Sequence, residues 1–281
     1  MNYRHAFHAG NHADVLKHVV LLAILDALVR KDTPCFVLDT HAGRGHYPLD
    51  RGEALRTDEA AGGIGRLFPI TRGLPPAVAR YRALIQKANP DGRLHHYPGS
   101  PLLAAQVLRG QDRLACCELQ VEEAEALRSL FAGDRRVGVH ARDGYGAIKA
   151  LTPPQEKRGV VLIDPPYENQ LAEFDAVRKA LAEGLARWPQ GCFALWYPIK
   201  DARVLKPVFR RMATLPAKSI LRAELVVHGG DSPLRMNGSG MLVFNVPWQL
   251  DMALAPALPW LARELGEAGA HSRVDWLKQP E

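Results

Sequence analysis

Short, near-continuous apolar runs alternate with helix-like segments along most of this chain. Seven runs are typical of β-strands, and they lie at residues 35–39, 114–119, 137–141, 159–164, 193–197, 223–228 and 240–246. Apolar strands that alternate with helices form mainly parallel sheets covered on both faces. The last two runs follow each other without a helix-like segment and are expected to pair antiparallel. The sequence therefore predicts an α/β fold with a mainly parallel seven-stranded sheet and an antiparallel edge.

Several helices have recognisable N-termini. A helix over 12–30 is predicted to begin after Asn11 as N-cap, with Asp14 in the position of a capping box. Ser100 is predicted to cap a helix that has Pro101 at its first position. Further helices are expected over 121–132, directly after residue 143, over 170–187 and over 200–213.

Residues 48–96 differ from the rest of the chain. The segment is charged, contains Gly62-Gly63 and Pro75-Pro76, and has two helix-like pieces near 54–68 and 76–88. We interpret it as a helical insert subdomain within a single domain that spans residues 1–281.

Composition limits the classes of protein to consider. The 281 residues are 47% hydrophobic, enough for one large packed domain, and the formal net charge of +6 favours a polyanionic partner. Four cysteines without a C-x-x-C spacing predict buried thiols in a reducing compartment. The polar, histidine-rich N-terminus is unlike a signal peptide, and the apolar run at 19–25 is too short to span a membrane. A cytoplasmic protein without a membrane partner is expected.

Acidic residues stand where four of the predicted strands end. These residues are Asp39, Glu118, Asp143 and Asp164. In an open parallel sheet, ligands bind outside the carboxyl ends of the strands, so these side chains are candidates for one site. Glu118 has two acceptor oxygens for the two hydroxyls of a ribose, although a solvent-facing strand end would look the same. Asp143 and the following Gly144 are predicted either to hold an adenine amino group or to form an ordinary turn.

The loop after the first strand contains Gly43 and Gly45, which permit a tight turn and close approach of a ligand. It is not a phosphate-binding P-loop, because no Gly-Lys-Ser/Thr follows. It fits a nicotinamide fingerprint poorly, because Pro48 stands where a third glycine is expected.

The fourth strand runs into Asp164, Pro165, Pro166 and Tyr167. The two prolines remove backbone donors, so that nearby carbonyl groups are available as acceptors beside an aromatic ring. Such an arrangement suits a planar ligand with an NH₂ group, which stacking on Tyr167 would hold in place. The alternative is a Pro-Pro turn that only starts the next helix.

Taken together, these motifs resemble those of class I S-adenosylmethionine-dependent methyltransferases that act on amines. The stretches YRHAFHAGNHADVLKH (3–18), LDTHAGRGHY (38–47), YPGSP (97–101), LIDPPYE (162–168), ALWYPI (194–199) and SGMLVFNVPW (239–248) look like the 23S rRNA (adenine-N6)-methyltransferase J family. This resemblance spans almost the whole chain. It implies a Rossmann-like fold, S-adenosylmethionine as cofactor, and methylation of an adenine N6 amine in 23S rRNA. It also accounts for the long separation of Glu118 from Gly45, because the family has an insert there.

The resemblance further implies roles for individual residues. It places the catalytic groups at Asp164, Pro165 and Tyr167, and the cofactor at His18, His41, Gly43, Ser100, Glu118, Asp143, Gly144 and Asp164. It places Tyr3, His5 and Lys17 near the substrate nucleotide. No metal is implied, and we expect a monomer that acts on free rRNA or on an assembly intermediate.

Other functions remain open on the sequence alone. Related Pro-Pro turns serve other exocyclic amines, so methylation of guanine N2 in rRNA is an alternative. The N-terminal histidines His5, His8, His12 and His18 suggest a metal-binding RNA protein. A third alternative is a non-catalytic RNA-binding module, although RNA binding alone would favour cations at the strand ends.

Overall fold

The computed structural model describes residues 7–50, 57–230 and 236–280. Its strands are β1 (Cys35–Asp39), β2 (His46–Pro48), β3 (His96–Pro98), β4 (Arg113–Glu118), β5 (Val137–Ala141), β6 (Arg158–Ile163), β7 (Cys192–Ile199), β8 (Ile220–Val226), β9 (Gly238–Phe244) and β10 (His271–Lys278). Its helices are α1 (His12–Val29), α2 (Ile64–Leu67), α3 (Pro76–Ala88), α4 (Ser100–Val107), α5 (Val121–Leu130), α6 (Gly144–Leu151), α7 (Gln170–Arg187), α8 (Ala202–Ala213), α9 (Leu250–Leu254) and α10 (Ala257–Leu265).

Eight strands form the main sheet in the order β10-β8-β9-β7-β6-β1-β4-β5. The five strands from β7 to β5 are parallel, whereas β9 is antiparallel to both of its neighbours. The chain leaves β1 towards β4 on one side and returns to β6 on the other. This reversal creates a crevice at the carboxyl ends of β1, β4 and β6, where an open α/β sheet binds its ligands.

The predicted α/β fold is confirmed, but the predicted count of seven strands is wrong. The eighth strand is β10, which pairs antiparallel with β8 and forms the edge. β8 and β9 pair antiparallel, as expected. They do not form the edge of the sheet, because β10 lies outside β8. β10 has the sequence HSRVDWLK, and its residues are exposed or half-buried. It lacks the continuous apolar run that is typical of a buried strand, because the residues of this edge strand are not fully buried.

Helices cover both faces of the sheet. Alternate residues of a strand point to opposite faces, so Cys35 and Val37 join one hydrophobic cluster while Phe36 and Leu38 join the other. The first cluster includes residues of α1, α4 and α10, and the second includes residues of α6, α7 and α8. None of the helices in the described part of the chain has both the length and the apolar character that a bilayer crossing requires.

Two predicted N-caps had different outcomes. Asn11 caps α1 as predicted, because its side-chain oxygen accepts bonds from the backbone N–H groups of Ala13 and Asp14 at 3.0 Å. The Asp14 carboxylate accepts from the N–H of Gly10 at 2.8 Å, one residue before the N-cap. Ser100 is the first residue of α4 rather than its cap, since Gly99 has the N-cap position and the Ser100 hydroxyl is bonded elsewhere.

Residues 48–96 emerge from the main fold through β2 and β3, which pair antiparallel at their base. Within the segment, α2 and α3 are separate helices, and the first predicted helical piece is described only from residue 57 onward. The Tyr97 hydroxyl lies 2.7 Å from His18 Nδ1 of α1 and 3.0 Å from the Tyr81 hydroxyl of α3. This buried chain of polar groups connects the segment to α1.

Candidate active site

Two adjacent cavities open at the carboxyl edge of the sheet. The first has a volume of about 300 Å³ and the second about 370 Å³. Lys17, Asp164 and Pro166 line both cavities. A ligand in the first cavity and a ligand in the second would therefore meet beside Asp164.

The glycine loop after β1 is held against the end of β4. Gly43 and Gly45 have φ of 59° and 75°, the left-handed region that favours glycine. The Gly43 N–H donates to Glu118 Oε2 at 2.9 Å, and the Gln120 N–H donates to Oε1 at 2.8 Å. Each carboxylate oxygen can accept a second bond, so Glu118 is also able to bind a ligand in the first cavity. Burial raises the pKa of Glu118, an effect that the two N–H groups oppose.

Asp39 lies beneath the first cavity and is the buried end of β1. The Ser100 hydroxyl donates to Asp39 Oδ2 at 2.6 Å, which joins the start of α4 to β1. Burial raises the pKa of Asp39 to about 6, although the bond from Ser100 acts in the opposite direction. In the sequence, Asp39 is recognisable only as the end of a strand. Its partner Ser100 lies in another segment, so no local pattern indicates the contact.

His41 lines the first cavity as a neutral acceptor. The Thr40 hydroxyl donates its hydrogen to the Leu162 carbonyl at 2.9 Å, so it must accept from His41 Nδ1 at 2.7 Å. This assigns the hydrogen to Nδ1 and leaves Nε2 as an acceptor. Burial lowers the pKa of His41 to about 4, against the opposing charges of Asp164 and Asp143.

Asp143 is the N-cap of α6, where its carboxylate accepts from the Gly146 N–H at 2.6 Å. Gly144 begins the helix and packs against the β1 loop, since a Cβ there would lie 2.2 Å from the Thr40 carbonyl oxygen. Both residues line the first cavity. The Asp-Gly pair thus begins a helix and does not form an ordinary turn, and its contact with an adenine amino group stays a prediction.

Lys17 joins α1 to the end of β6. Its ammonium group is 2.8 Å from Asp14 Oδ1 and 2.5 Å from Asp164 Oδ2, and the lysine is only 4% exposed. Burial alone would lower the pKa of Lys17, but the two carboxylates hold it well above its usual value. Asp164 Oδ1 makes no hydrogen bond to any other residue in the described ranges, and so can accept one from a ligand.

The Asp-Pro-Pro-Tyr turn separates the two cavities. Tyr167 has φ of 49° and lines the second cavity, whereas Pro165 is buried and lines neither. The Tyr167 hydroxyl donates to the Trp196 carbonyl at 2.9 Å, and its ring lies against Phe174 with the centroids 5.0 Å apart. The ring orientation is therefore set by the protein before any ligand binds.

The second cavity has polar side chains from the N-terminal segment and from the 48–96 segment. His8 and Asn11 line it together with Glu59, which is bonded to both. Tyr3 and His5, which the resemblance places near the substrate nucleotide, lie outside the described residues. Lys17, which the resemblance also places near the substrate nucleotide, lines both cavities.

His18 does not line either cavity. Its fully buried ring packs between α1 and the 48–96 segment, with the Tyr97 and Tyr81 ring centroids 5.6 Å and 6.5 Å away. The role of His18 in cofactor binding, which the resemblance implies, therefore stays a prediction.

The N-terminal histidines have separate surroundings. His8 bonds to Glu59, His12 lies edge-on to His228 with the centroids 6.0 Å apart, and His18 bonds to Tyr97. Within the described ranges, no three His, Cys, Asp or Glu side chains come together in a way that could hold a metal ion.

Sequence analysis missed several residues that line these cavities. Tyr145 donates to Glu173 at 2.5 Å in the first cavity, and Trp196 lines the second. Glu59 was overlooked because its partners, His8 and Asn11, lie about 50 positions away in the sequence. No spacing in the sequence indicates these contacts, since the partners come from different elements.

The first cavity is strongly acidic. Six carboxylate residues line it: Glu118, Glu123, Asp143, Asp164, Glu168 and Glu173. Arg44 forms a bidentate ion pair with Glu123, and Lys17 pairs with Asp164. Such a lining suits a ligand with positive charge, as a sulfonium and an ammonium group provide.

Comparison with known proteins identifies the family. The profile of the family described as "Ribosomal RNA large subunit methyltransferase D, RlmJ" matches residues 32–278. The chain belongs to the RlmJ family. A protein of Haemophilus influenzae named ribosomal RNA large subunit methyltransferase J is 43% identical over 279 residues, which are 99% of each chain. The Escherichia coli protein of the same name is 42% identical over 278 residues, again 99% of each.

A crystal structure of a Legionella pneumophila protein has the same fold as this RlmJ-family chain. The two superpose with a TM-score of 0.87 at 33% identity, over 96% of this chain and 98% of the other. The alignments with both named relatives cover nearly the whole chain and so include the N-terminal segment and residues 48–96. Membership in the RlmJ family confirms the resemblance inferred from the motifs.

Proposed function

We propose that this protein transfers a methyl group from S-adenosylmethionine to the exocyclic N6 amine of an adenine in 23S rRNA. The observation that carries the proposal is the junction of two cavities at Asp164, where the Asp-Pro-Pro-Tyr turn lies between them. An rRNA substrate is supported by the printed names of both curated relatives, which are large-subunit rRNA methyltransferases.

The first cavity would hold S-adenosylmethionine, which supplies an electrophilic methyl group on a sulfonium. Glu118 would accept hydrogen bonds from the ribose hydroxyls, and Asp143 with the backbone at Gly144 would hold the adenine. Gly43 allows the loop to approach the ligand closely. His41 Nε2 would accept a hydrogen bond from the ammonium group of the cofactor. Ser100 would hold its own side of the cavity in place through its hydrogen bond to Asp39.

The second cavity would hold the target adenine. Tyr167 and Trp196 line it, and a base stacked on an aromatic ring gains about 1–3 kcal/mol. Because the Tyr167 ring is fixed by its hydroxyl bond and by Phe174, little conformational entropy is lost when a base stacks on it. The base must leave its helical stack to reach this position.

The polar groups beside the ring would then orient the amine. An adenine amino nitrogen is a poor nucleophile, because its lone pair is delocalised into the ring. Asp164 Oδ1 and a backbone carbonyl of the Asp-Pro-Pro-Tyr stretch would each accept one N–H, which favours a pyramidal nitrogen. Lys17 holds the other carboxylate oxygen and so fixes the direction of Oδ1. The carboxylate stabilises the positive charge that develops on nitrogen, and this effect increases towards the transition state.

The exposed face of α8 would bind RNA phosphates near the second cavity. Lys200 lines that cavity and stands just before the helix. Lys206 and Arg210 follow on its exposed side, on the same face as Arg203, which pairs with Asp201 at 2.8 Å. Arg211 is instead bonded to Asp175 at 3.0 Å. Such a row of cations provides binding that is independent of base sequence and sensitive to salt.

The substrate would be free rRNA or an assembly intermediate, because a base in a finished subunit is harder to unstack. We further propose that residues 1–281 act as a monomeric catalytic domain, with residues 48–96 as an insert subdomain.

Nucleoside mass spectrometry would test the proposal. Unmodified 23S rRNA incubated with the protein and labelled S-adenosylmethionine should gain one N6-methyladenosine. Labelled N2-methylguanosine would support the alternative base, and rRNA without any label would contradict both. Asp164→Ala protein is the control for contaminating activities.

A further inference from the structure

Residues 7–11 are bound to the insert at several points. The Thr57 hydroxyl donates to the Phe7 carbonyl at 2.5 Å, and the Ile64 N–H donates to the Gly10 carbonyl at 2.8 Å. The two backbones are in close contact, since a Cβ on Gly63 would lie 2.1 Å from the Gly10 oxygen. This stretch of chain precedes α1 and would otherwise be a loose terminus.

Glu59 is the centre of this contact. Its Oε1 lies 2.8 Å from His8 Nδ1, and its Oε2 accepts from Asn11 Nδ2 at 2.9 Å. One carboxylate thus holds both ends of the turn from His8 to Asn11. Burial alone would raise the pKa of Glu59, but its bonds to His8 and Asn11 lower it. The hydrogen bond to Glu59 raises the pKa of His8, so the pair favours the charged forms.

The same three side chains form one wall of the second cavity. His8, Asn11 and Glu59 line it together with Lys17 and residues of the Asp-Pro-Pro-Tyr turn. A shift of residues 7–11 would therefore change the shape of this cavity directly. The first cavity has no residue from 7–11 or from 57–64 in its lining, so it should be insensitive to such a shift.

We propose that the insert is an anchor for the N-terminal segment, and that Glu59 is the positioning residue that holds this segment as a wall of the base cavity. The inference rests on the proposed function, because it assigns the second cavity to the target base. It gives the insert a role in substrate binding that does not require the insert to touch RNA.

A reciprocal exchange of amide and carboxylate tests this contact. Glu59→Gln removes the charge and leaves one acceptor oxygen for the two donors of His8 and Asn11, and Asn11→Asp places two carboxylates together. Each single change should raise the KM for rRNA about ten- to a hundredfold, with a smaller change in kcat. The double variant Asn11→Asp/Glu59→Gln restores a donor–acceptor pair, and Asp can still cap α1. Its KM should return to within about threefold of the wild-type value.

Hydrogen exchange measures the anchor without any methylation assay. Amides of residues 7–13 should exchange about ten- to a hundredfold faster in Glu59→Gln and recover in the double variant. Asp58→Asn is the matched control, since it removes the same charge from an exposed neighbour with no described side-chain bond and should change neither KM nor exchange. Affinity for S-adenosylhomocysteine should stay within about twofold in all variants.

Unchanged exchange in Glu59→Gln would overturn the anchor, whatever the enzyme methylates. Faster exchange with an unchanged KM would overturn the role in substrate binding. A double variant as impaired as the single ones would show that the Glu59–Asn11 contact is not what holds the segment. Failure of wild-type protein to methylate rRNA would instead contradict the proposed function, and the exchange result would still stand.

Discussion

Asp164 uses its two carboxylate oxygens differently. Oδ2 is held by Lys17 at 2.5 Å, while Oδ1 remains available to a ligand. Glu118, in contrast, receives two backbone N–H groups and lines only the first cavity. The two acidic residues should therefore differ in what they contribute, one to the transition state and the other to cofactor binding.

We expect Glu118→Ala and Asp164→Asn to separate these contributions. Glu118→Ala loses a charged hydrogen-bonding partner and should weaken S-adenosylhomocysteine binding about ten- to a hundredfold, with much of the rate recovered at high cofactor concentration. Asp164→Asn keeps an acceptor but loses the charge, so kcat should fall at least about a hundredfold while cofactor affinity changes less than tenfold. Calorimetric titration and single-turnover assays measure both. Rescue of Asp164→Asn by added cofactor would contradict this assignment.

Asp39 should make stability depend on pH. Its folded pKa of about 6 lies above the ordinary value of 3.8, so the neutral carboxyl favours the folded state. This contribution is complete below the ordinary value and is lost as the pH rises through about 6. Asp39→Asn removes this titration. Between acidic and neutral pH, the free energy of unfolding of the wild type should therefore fall by up to about 3 kcal/mol relative to that of Asp39→Asn. Urea denaturation at several pH values measures the difference, which a constant offset would contradict.

At the scale of elements, α6 begins where two loops meet. Gly144 is its first residue, and its missing side chain allows the helix to approach the Thr40 carbonyl. Helix propensity alone would favour alanine at such a position by about 1 kcal/mol. The tertiary contact reverses that preference, because a Cβ would overlap a backbone oxygen that cannot move without displacing the β1 loop.

Gly144→Ala should therefore lower both stability and cofactor affinity. We expect a loss of about 1–3 kcal/mol in the free energy of unfolding, typical of overpacking, and at least tenfold weaker S-adenosylhomocysteine binding. Gly110→Ala is the control, since no atom lies within 4 Å of a Cβ there. Thermal unfolding and calorimetric titration measure the two effects. A more stable Gly144→Ala protein would show that propensity outweighs the contact.

At the scale of the whole molecule, charge is divided between two surfaces. Six carboxylate residues line the first cavity, whereas the exposed face of α8 carries cations beside the second cavity. A cationic cofactor and a polyanionic substrate would thus be attracted to neighbouring but distinct surfaces. The modest net charge of +6 does not reveal this separation.

Binding of RNA should consequently depend on salt through α8. Lys206→Glu and Arg210→Glu should each weaken rRNA binding and reduce the slope of log affinity against log salt by about one. Lys31→Glu changes the same charge after the far end of α1 and should have little effect. Filter binding at several salt concentrations measures the slopes. Equal slopes for the α8 variants and for Lys31→Glu would exclude α8 as a phosphate-binding face.

Most of the fold was predictable from patterns within short stretches of the sequence. The apolar runs of β1, β4, β6, β7, β8 and β9 are buried strands, because burial on both faces requires an apolar residue at nearly every position. The run of β5 was also predicted, although this strand is the other edge of the sheet and is exposed or half-buried. β10 escaped detection, since a half-exposed edge strand resembles a loop in composition. The cap of α1 was predictable from Asn11, whereas Ser100 was taken for a cap because its bond to Asp39 depends on a residue 61 positions away.

The sequence by itself determined the parallel sheet, the acidic strand ends, the Asp-Pro-Pro-Tyr turn and the resemblance that family membership confirms. These features follow from neighbouring residues, which any folded arrangement keeps together. Only the tertiary structure decided that Lys17 holds Asp164, 147 positions away, and that Glu59 holds the N-terminal segment. Contacts of this kind depend on how helices and loops pack around the sheet, and periodicity carries no information about partners from distant elements.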